Sequence, residues 1–322
     1  MKARSTLLLA ALAATGCATS PPASTAQESA GHALRTEHVA DRWFVAATAA
    51  NGEKLEFFTD TGGGFIVHAD SAARAGLTVS EQGEGEERAK LAPFPTFVGS
   101  DALPPPLGER RQLFVAERSP RSADFRDGML GQEWFGGRVW TFDYPNGAMA
   151  WHDSAAGMEF DPAHTVPLGF PAKDGVRTTS FPRIEATIDG ETISFLFDTG
   201  ATLALSDDAL ARLGDGGAKV RGTSFIVASI FDRWHAKHPD WRVVERAEDN
   251  AGAAPIIAVP EVTIAGHAVG PVWFTRRPDS AFHEYMSQWM DARVEGALGG
   301  SAFRWFRVDV DYPGARASFR RE

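Results

Sequence analysis

A chain of 322 residues with 43% hydrophobic content can bury one large core or two modest ones. Its net charge of −10 becomes −12 without Lys2 and Arg4 (−10 − 2 = −12), an acidic balance that argues against nucleic acid or anionic headgroups as partners. Cys17 is the only cysteine, so the folded body has neither an intrachain disulfide nor a catalytic thiol, and stability must come from packing.

The first elements are a targeting segment and a spacer. Lys2 and Arg4 precede an apolar run from Leu7 to Ala14 and then Ala14-Thr15-Gly16-Cys17. Residues 1–17 resemble a bacterial lipoprotein signal. That resemblance implies export, acylation of Cys17 as the mature N-terminus, and anchoring to the outer membrane facing the periplasm, or secretion if Cys17 is not acylated. The run is too short to span a bilayer. The following stretch, 18–40, is rich in Ser, Thr, Pro and Ala to about Ser29 and is expected to be a flexible tether.

A first structured unit is expected over 41–153. Strand-like Trp43 to Ala47 and Leu55 to Thr59 flank an Asn51-Gly52 turn, the strongest short-range hairpin signal, and lead into Phe57-Phe58-Thr59-Asp60-Thr61-Gly62-Gly63. A short helix from Ala69 to Ala75 is closed by Gly76. The charge-rich run Glu81 to Arg88 is expected as a solvated loop. Pro93, Pro95 and Pro104 to Pro106 mark an irregular section. Leu113 to Ala116 resumes a strand before Gly128-Met129-Leu130-Gly131. Val139 to Tyr144, an Asn146-Gly147 turn and Ala148 to Trp151 close the unit.

A linker is expected over 154–180, and a second unit over 181–322. An Asp189-Gly190 turn leads into Phe195-Leu196-Phe197-Asp198-Thr199-Gly200-Ala201. Ser206 to Leu213 reads as a helix with Ser206 as N-cap and Gly214 as C-cap. A helical insertion follows near 223–240, where Phe225, Ile226, Ile230, Phe231 and Trp234 take amphipathic spacing. Ile256 to Ile264 and Val269 to Thr275 read as a hairpin, and Phe282 to Met290 as a second added helix. Short strands with frequent turn signals indicate a mainly β protein.

The two units repeat one another. Asp60 and Asp198 lie 198 − 60 = 138 residues apart; in both, a turn glycine (Gly52, Gly190) stands 8 before the Asp and a cap glycine (Gly76, Gly214) 16 after it. Met129-Leu130-Gly131 is matched by Ala297-Leu298-Gly299, and Asp143-Tyr144-Pro145 by Asp311-Tyr312-Pro313. Two Asp-Thr-Gly turns in equivalent places suggest two carboxylates brought face to face. Two carboxylates that close cannot both ionise freely, so they share one proton and can act together as base and acid on a water and a carbonyl. Such a dyad hydrolyses amides without metal, cofactor or covalent intermediate.

The chain resembles the aspartic peptidases, specifically bacterial retropepsin-like proteins with both pepsin-like lobes in one polypeptide. The resemblance lies in Phe58-Thr59-Asp60-Thr61-Gly62 and Leu196-Phe197-Asp198-Thr199-Gly200, in Met129-Leu130-Gly131 and Ala297-Leu298-Gly299, and in the two Asp-Tyr-Pro strands. It implies a bilobal acid-protease fold of two closed β lobes, a substrate cleft between them and a β-hairpin flap over it. It implies catalysis by Asp60 and Asp198, with Thr61, Gly62, Gly63, Thr199, Gly200 and Ala201 supporting the two loops. The implied activity is an endopeptidase acting on polypeptide in the cell envelope. Since both half-sites lie in one chain, a monomer suffices.

Gly63 and Ala201 lack the hydroxyl that pepsin-like sequences often place there, and losing a donor to a carboxylate raises its pKa. A working range nearer neutral than strongly acidic follows. Of the three tyrosines only Tyr285 lies outside the Asp-Tyr-Pro strands and is free to be a flap tyrosine. Asp143 and Asp311 are expected to cap turns. His235, His238 and Asp240 are expected at the surface, not on a metal. The rival reading is a non-catalytic envelope lipoprotein that binds peptides or a partner in the same cleft; action on a non-peptide amide is a third.

Overall fold

The structure is a computed structural model that describes residues 31–83, 85, 88–108, 111–119 and 124–321. Cys17, the signal segment and residues 18–30 of the expected tether lie outside the described residues.

The described chain begins in paired strand, not tether. Strands β1 (His32–Ala33) and β2 (Thr36–Val39) precede β3 (Arg42–Ala49) and β4 (Lys54–Thr59), which form the hairpin expected around Asn51-Gly52. Next come β5 (Ile66–His68), helix α1 (Ala69–Arg74), and strands β6 (Ser80–Gln82), β7 (Ala89–Pro93), β8 (Phe97–Val98) and β9 (Gln112–Ala116). Strand β10 (Gly128–Leu130), helix α2 (Gln132–Phe135), β11 (Val139–Asp143) and β12 (Ala148–His152) complete the first lobe. Its sheet runs β2-β3-β4-β10-β5-β9-β7-β6, with β8 added to β3. The charged run expected as a loop therefore straddles an antiparallel hairpin, β6–β7, whose exposed Glu81 sits on an edge strand. A charge there blunts the open edge against further pairing.

The span expected as a linker is also built into sheets. Strand β13 (Thr165–Pro167) and the small hairpin β14 (Ala172–Lys173) and β15 (Val176–Arg177) precede β16 (Arg183–Ile188) and β17 (Glu191–Phe197). Asp189 and Gly190 both take positive φ (53° and 79°) in the two-residue turn between β16 and β17. Then follow β18 (Thr202–Ala204), α3 (Asp207–Leu213), β19 (Val220–Gly222), β20 (Ser224–Val227) and α4 (Ala228–Lys237). The helix ends expected from sequence hold at α3: Ser206 Oγ accepts from Ala209 N (3.2 Å), and Gly214 closes it with φ 61°.

Strands β21 (Val243–Val244), β22 (Ile256–Val259), β23 (Val262–Ile264), β24 (His267–Val269) and β25 (Val272–Arg277) come next. The single strand expected over 256–264 is split at Pro260, so that β22 pairs with β25 while β23 pairs with β24. The expected second added helix is a π-helical turn, Ala281–Met286, followed by a 3-10 turn, Ser287–Trp289. Strand β26 (Gly296–Leu298), α5 (Gly300–Phe303), β27 (Phe306–Asp311) and β28 (Arg316–Arg321) end the chain.

Read from its far edge, the second sheet is β24-β23-β16-β17-β26-β20-β25-β22-β21, the first lobe's order element for element from β3 onward. This match corrects the sequence alignment of the repeats. The place of β5, paired with β10 and β9, belongs in the second lobe to β20, paired with β26 and β25. Ile66 thus corresponds to Phe225, an offset of 225 − 66 = 159, not 138. Helix α4 is the counterpart of α1 and no insertion; the inserted piece is the 21-residue stretch 202–222, carrying β18, α3 and β19 (159 − 138 = 21).

A third sheet, β1-β12-β11-β27-β28-β13, joins the lobes by pairing β11 with β27. Here β1 and β13 play equivalent parts, which is why the stretches read as tether and linker are structured. One hydrophobic cluster runs through both lobes, with Phe197 stacked on Phe303 at 4.5 Å and Trp43, Trp134, Trp140 and Trp234 buried. Burying each large apolar side chain stabilises by about 1.5–3 kcal/mol.

Candidate active site

Two apolar strands end in the two Asp-Thr-Gly turns. Strand β10 lies parallel to β4, and β26 parallel to β17, in matching registers (Leu130 opposite Thr59, Leu298 opposite Phe197). Each then fixes the turn beyond: Asp60 N donates to Leu130 O (3.0 Å) and Asp198 N to Leu298 O (2.8 Å). The six residues Met129, Leu130, Gly131, Ala297, Leu298 and Gly299 therefore sit directly behind the turns. A Cβ on Gly131 would be driven into the carbonyl oxygens of Gly63 and Gly64, so glycine is required by close approach of backbone.

The two turns are locked to each other across the lobes. Thr61 Oγ1 donates to Phe197 O (2.7 Å) and accepts from Thr199 N (3.0 Å), while Thr199 Oγ1 accepts from Thr61 N (3.2 Å). Both threonines are fully buried.

Within each turn the carboxylate accepts from the glycine two residues on: Asp60 Oδ1 from Gly62 N (2.9 Å), Asp198 Oδ1 from Gly200 N (3.0 Å). The carboxyls also cross over. A Cβ on Gly62 would stand 2.7 Å from Asp198 Cγ, and one on Gly200 would collide with the Asp60 carboxyl. Each aspartate thus leans on the opposite lobe's glycine, and the two are hydrogen-bonded to each other. A Cβ on Gly63 would meet Asp60 Oδ2 and Met129 Sδ at 2.5 Å, so this pair of side chains fills the space a residue larger than glycine would use. Ala201 is buried beside Gly299.

Asp60 and Asp198 are 9% and 8% exposed. Burial is the leading cause that raises both pKa values. For Asp60 the rise is opposed by hydrogen bonds from the Asp198 side chain and from Gly62 N and Gly63 N. For Asp198 the Asp60 charge and the shared hydrogen bond push further upward, well above the ordinary carboxylate value. Two carboxyls held this close titrate as a pair that shares one proton, so the pair supplies one acid and one base.

On the first lobe's side, Phe58, Met129, Ile66 and Phe114 stand in cross-strand register along one sheet face. Exposure rises outward along it, from 2% at Phe58 to 42% at Phe114. On the second lobe's side the equivalent row is Leu196, Ala297, Phe225 and Thr275.

Other candidates fall away from the dyad. Asp143 Oδ1 accepts from Asn146 N (3.1 Å) and Asp311 Oδ1 from Gly314 N (2.8 Å), so both cap turns as expected. His235 is exposed; His238 stacks on Trp241 (4.3 Å) and lies 2.9 Å from Asp189. Among the described residues no group of three or more His, Cys, Asp or Glu could hold a metal ion. Tyr285 is 68% exposed on the π-helical turn of the second lobe.

Two supports escaped the sequence reading. Ser224 Oγ accepts from Gly299 N (3.1 Å) and bonds Ser301 Oγ (3.0 Å), holding the second turn from behind. The Ala40-Asp41 turn, both residues at positive φ, plugs into the opposite lobe: Ala40 O accepts from Gly222 N (2.7 Å) and the Asp41 carboxylate pairs with Arg304. An Asp in a two-residue gap between strand-like runs was the available signal for this turn.

No family model and no curated protein sequence matches the chain. Among solved structures, the crystal structure of aspartic proteinase from Irpex lacteus superposes with a TM-score of 0.53 at 10% identity, over 91% of this chain and 97% of that one. What the two share at that identity is the fold, and the chain accordingly has the mainly β, bilobal architecture of an aspartic proteinase.

Proposed function

We propose that this chain is an aspartic-type endopeptidase that hydrolyses peptide bonds with a water activated between Asp60 and Asp198. The observation that carries the reading is the crossed, buried pair of carboxyls, each set against the opposite lobe's turn glycine. The ionised member of the pair takes a proton from the water as it attacks the scissile carbonyl carbon, and the protonated member gives its proton to the carbonyl oxygen, producing a neutral tetrahedral diol. Collapse breaks the C–N bond as the newly protonated carboxyl gives its proton to the leaving nitrogen and the other carboxylate takes one from a diol hydroxyl, which restores the pair with one proton. The raised pKa of both members favours a working range nearer neutral than that of a strongly acidic protease. The lipoprotein-like segment 1–17 supports a place in the cell envelope, with Cys17 as lipid anchor and extended polypeptide as substrate.

The test is digestion of a random peptide library by the soluble body, with and without a pepstatin-type inhibitor, alongside Asp60→Asn and Asp198→Asn. Cleavage that is inhibited and is lost in both variants is expected. Peptide binding without cleavage in the wild type would instead identify a binding lipoprotein.

A further inference from the structure

One rung of the sheet that joins the lobes fixes where the chain enters the fold. A Cβ on Gly31 would meet the His152 ring; His152 pairs with Val139, Val139 with Asp311, Asp311 with Arg316 and Arg316 with Pro167. All six strands begin or end at this rung, so Gly31, Gly137, Tyr312 and Leu168 lie off the same end of the sheet. Off the opposite end, where Asp143 pairs with Arg307, stand the Asn146-Gly147 turn and Trp305.

Exposed apolar side chains gather off the first of these ends. Val176 and Tyr285 are 69% and 68% exposed, and Leu107 and Trp289 are half-exposed. Each is tied to that end by a contact. Leu107 lies against Gly137, where an added Cβ would meet its Cδ1 at 3.4 Å. Val176 precedes Arg177, whose Nη2 donates to Tyr312 O (2.8 Å). Thr179 Oγ1 donates to Trp289 O (2.9 Å), and Tyr285 stands four residues before Trp289 on the adjoining π-helical turn. Tyr and Trp present an apolar ring with a polar tip, the combination that settles at a boundary between water and hydrocarbon. Lys173, paired with Val176, and Arg177 have stems long enough to keep their charge in water beside such a boundary.

We propose that this end of the molecule docks on a zwitterionic bilayer surface, with Tyr285 and Trp289 at the level of the headgroups, so that the anchored protein is held in one orientation. The inference rests on the reading of Cys17 as a lipid anchor and deepens it. What names the bilayer as occupant is the chain's point of entry at the same end. Gly31 is 31 − 17 = 14 residues beyond Cys17, a reach of at most about 50 Å. The joining sheet is only about 24 Å across, five spacings of about 4.8 Å, so a bilayer that holds Cys17 can lie against any part of this end. An anchored body meets the surface intramolecularly, and a few side chains then suffice to dock it. The acidic balance of the chain disfavours anionic headgroups, which leaves apolar attraction to a neutral surface.

The test places the full acylated chain in phosphatidylcholine vesicles with brominated acyl chains, which quench the fluorescence of tryptophans in contact with them. Emission is expected to be quenched, and Trp289→Phe should lose most of that quenching. Trp305→Phe, at the far end of the joining sheet, should retain it. An unquenched wild type, or quenching reduced equally by the two substitutions, would overturn the proposal. A dimer in velocity sedimentation that Tyr285→Ser with Trp289→Ser dissociates would also overturn it, by making the patch a contact between two copies of this chain. Mass spectrometry of the mature chain settles the anchor separately. Cys17 without an acyl group strikes the lipoprotein reading and the proposal with it, whereas an acylated chain with Trp289 unquenched strikes the proposal alone.

Discussion

Thr61 and Thr199 occupy equivalent places, yet the structure makes their removal unequal. Thr61→Val keeps the shape and deletes the hydroxyl that serves Phe197 O and Thr199 N together. Both groups are then buried without that partner, at about 1–3 kcal/mol each, for a total cost of about 2–6 kcal/mol. Thr199→Val deprives Thr61 N alone of its acceptor, at about 1–3 kcal/mol. Urea unfolding followed by circular dichroism on the two variants and the double variant measures the difference. Thr61→Val should lower the midpoint further, and the double variant should fall short of the sum, because both side chains belong to one hydrogen-bonded set. A Thr61→Val loss no larger than that of Thr199→Val would refute the assignment of two bonds to Thr61. If Thr61→Val costs under about 0.5 kcal/mol, the lock between the lobes is not a stabilising element at all.

Asp198→Asn should lose peptide cleavage and gain stability at neutral pH by about 0.5–2 kcal/mol, since the native carboxyl is held against like charge and burial. Because the folded-state pKa of Asp198 lies above its unfolded value, wild-type stability falls as pH rises from about 4 through that folded value. The variant's advantage should therefore appear above about pH 4 and vanish below it, and thermal melts across that range that show a constant difference would contradict the raised pKa. Tyr312→Phe removes a fully buried hydroxyl that has no hydrogen-bond partner among the described residues, and should change stability by about 0–1 kcal/mol in the stabilising direction. A clear loss in its melting temperature would mean that the hydroxyl has a partner in solution.

The features legible in the sequence were those set by short-range chemistry. The Asn51-Gly52 and Asp189-Gly190 turns, the Ser206 cap and the two Asp-Thr-Gly loops each follow from a few adjacent residues. What could not be read locally was which of two similar segments fills a slot inside a sheet. Leu203 to Gly214 matches Phe65 to Gly76 at the 138-residue offset, down to the closing glycine, and so claims the β5 position. The slot lies between two strands and is covered on both faces, which favours a continuous apolar run over an alternating one. Ile226 and Val227 are both fully buried there, whereas Thr202-Leu203-Ala204 buries only its middle residue. The tripeptide Phe-Ile-Val, present at 65–67 and again at 225–227, was the sequence signal for the segment that fills the slot, although its 160-residue spacing is one residue off the paired register of 159. Strands β1 and β13 escaped notice for a related reason: two or three residues give no periodicity, and their partners lie across the fold.

In the sheet that joins the lobes, Thr141 stands opposite Asp309. The two are 309 − 141 = 168 residues apart, the same interval that separates Met129 from Ala297, so a position meets its own duplicate there. A solitary module associating with an identical copy through this edge would be compelled to set like against like, aspartate facing aspartate or threonine facing threonine. Fusion into one polypeptide lifts that compulsion. Thr141 Oγ1 donates to Asp309 Oδ1 at 2.6 Å, and Arg320 takes the other oxygen at 2.6 Å, a complementary arrangement that no homodimer could place on its symmetry axis.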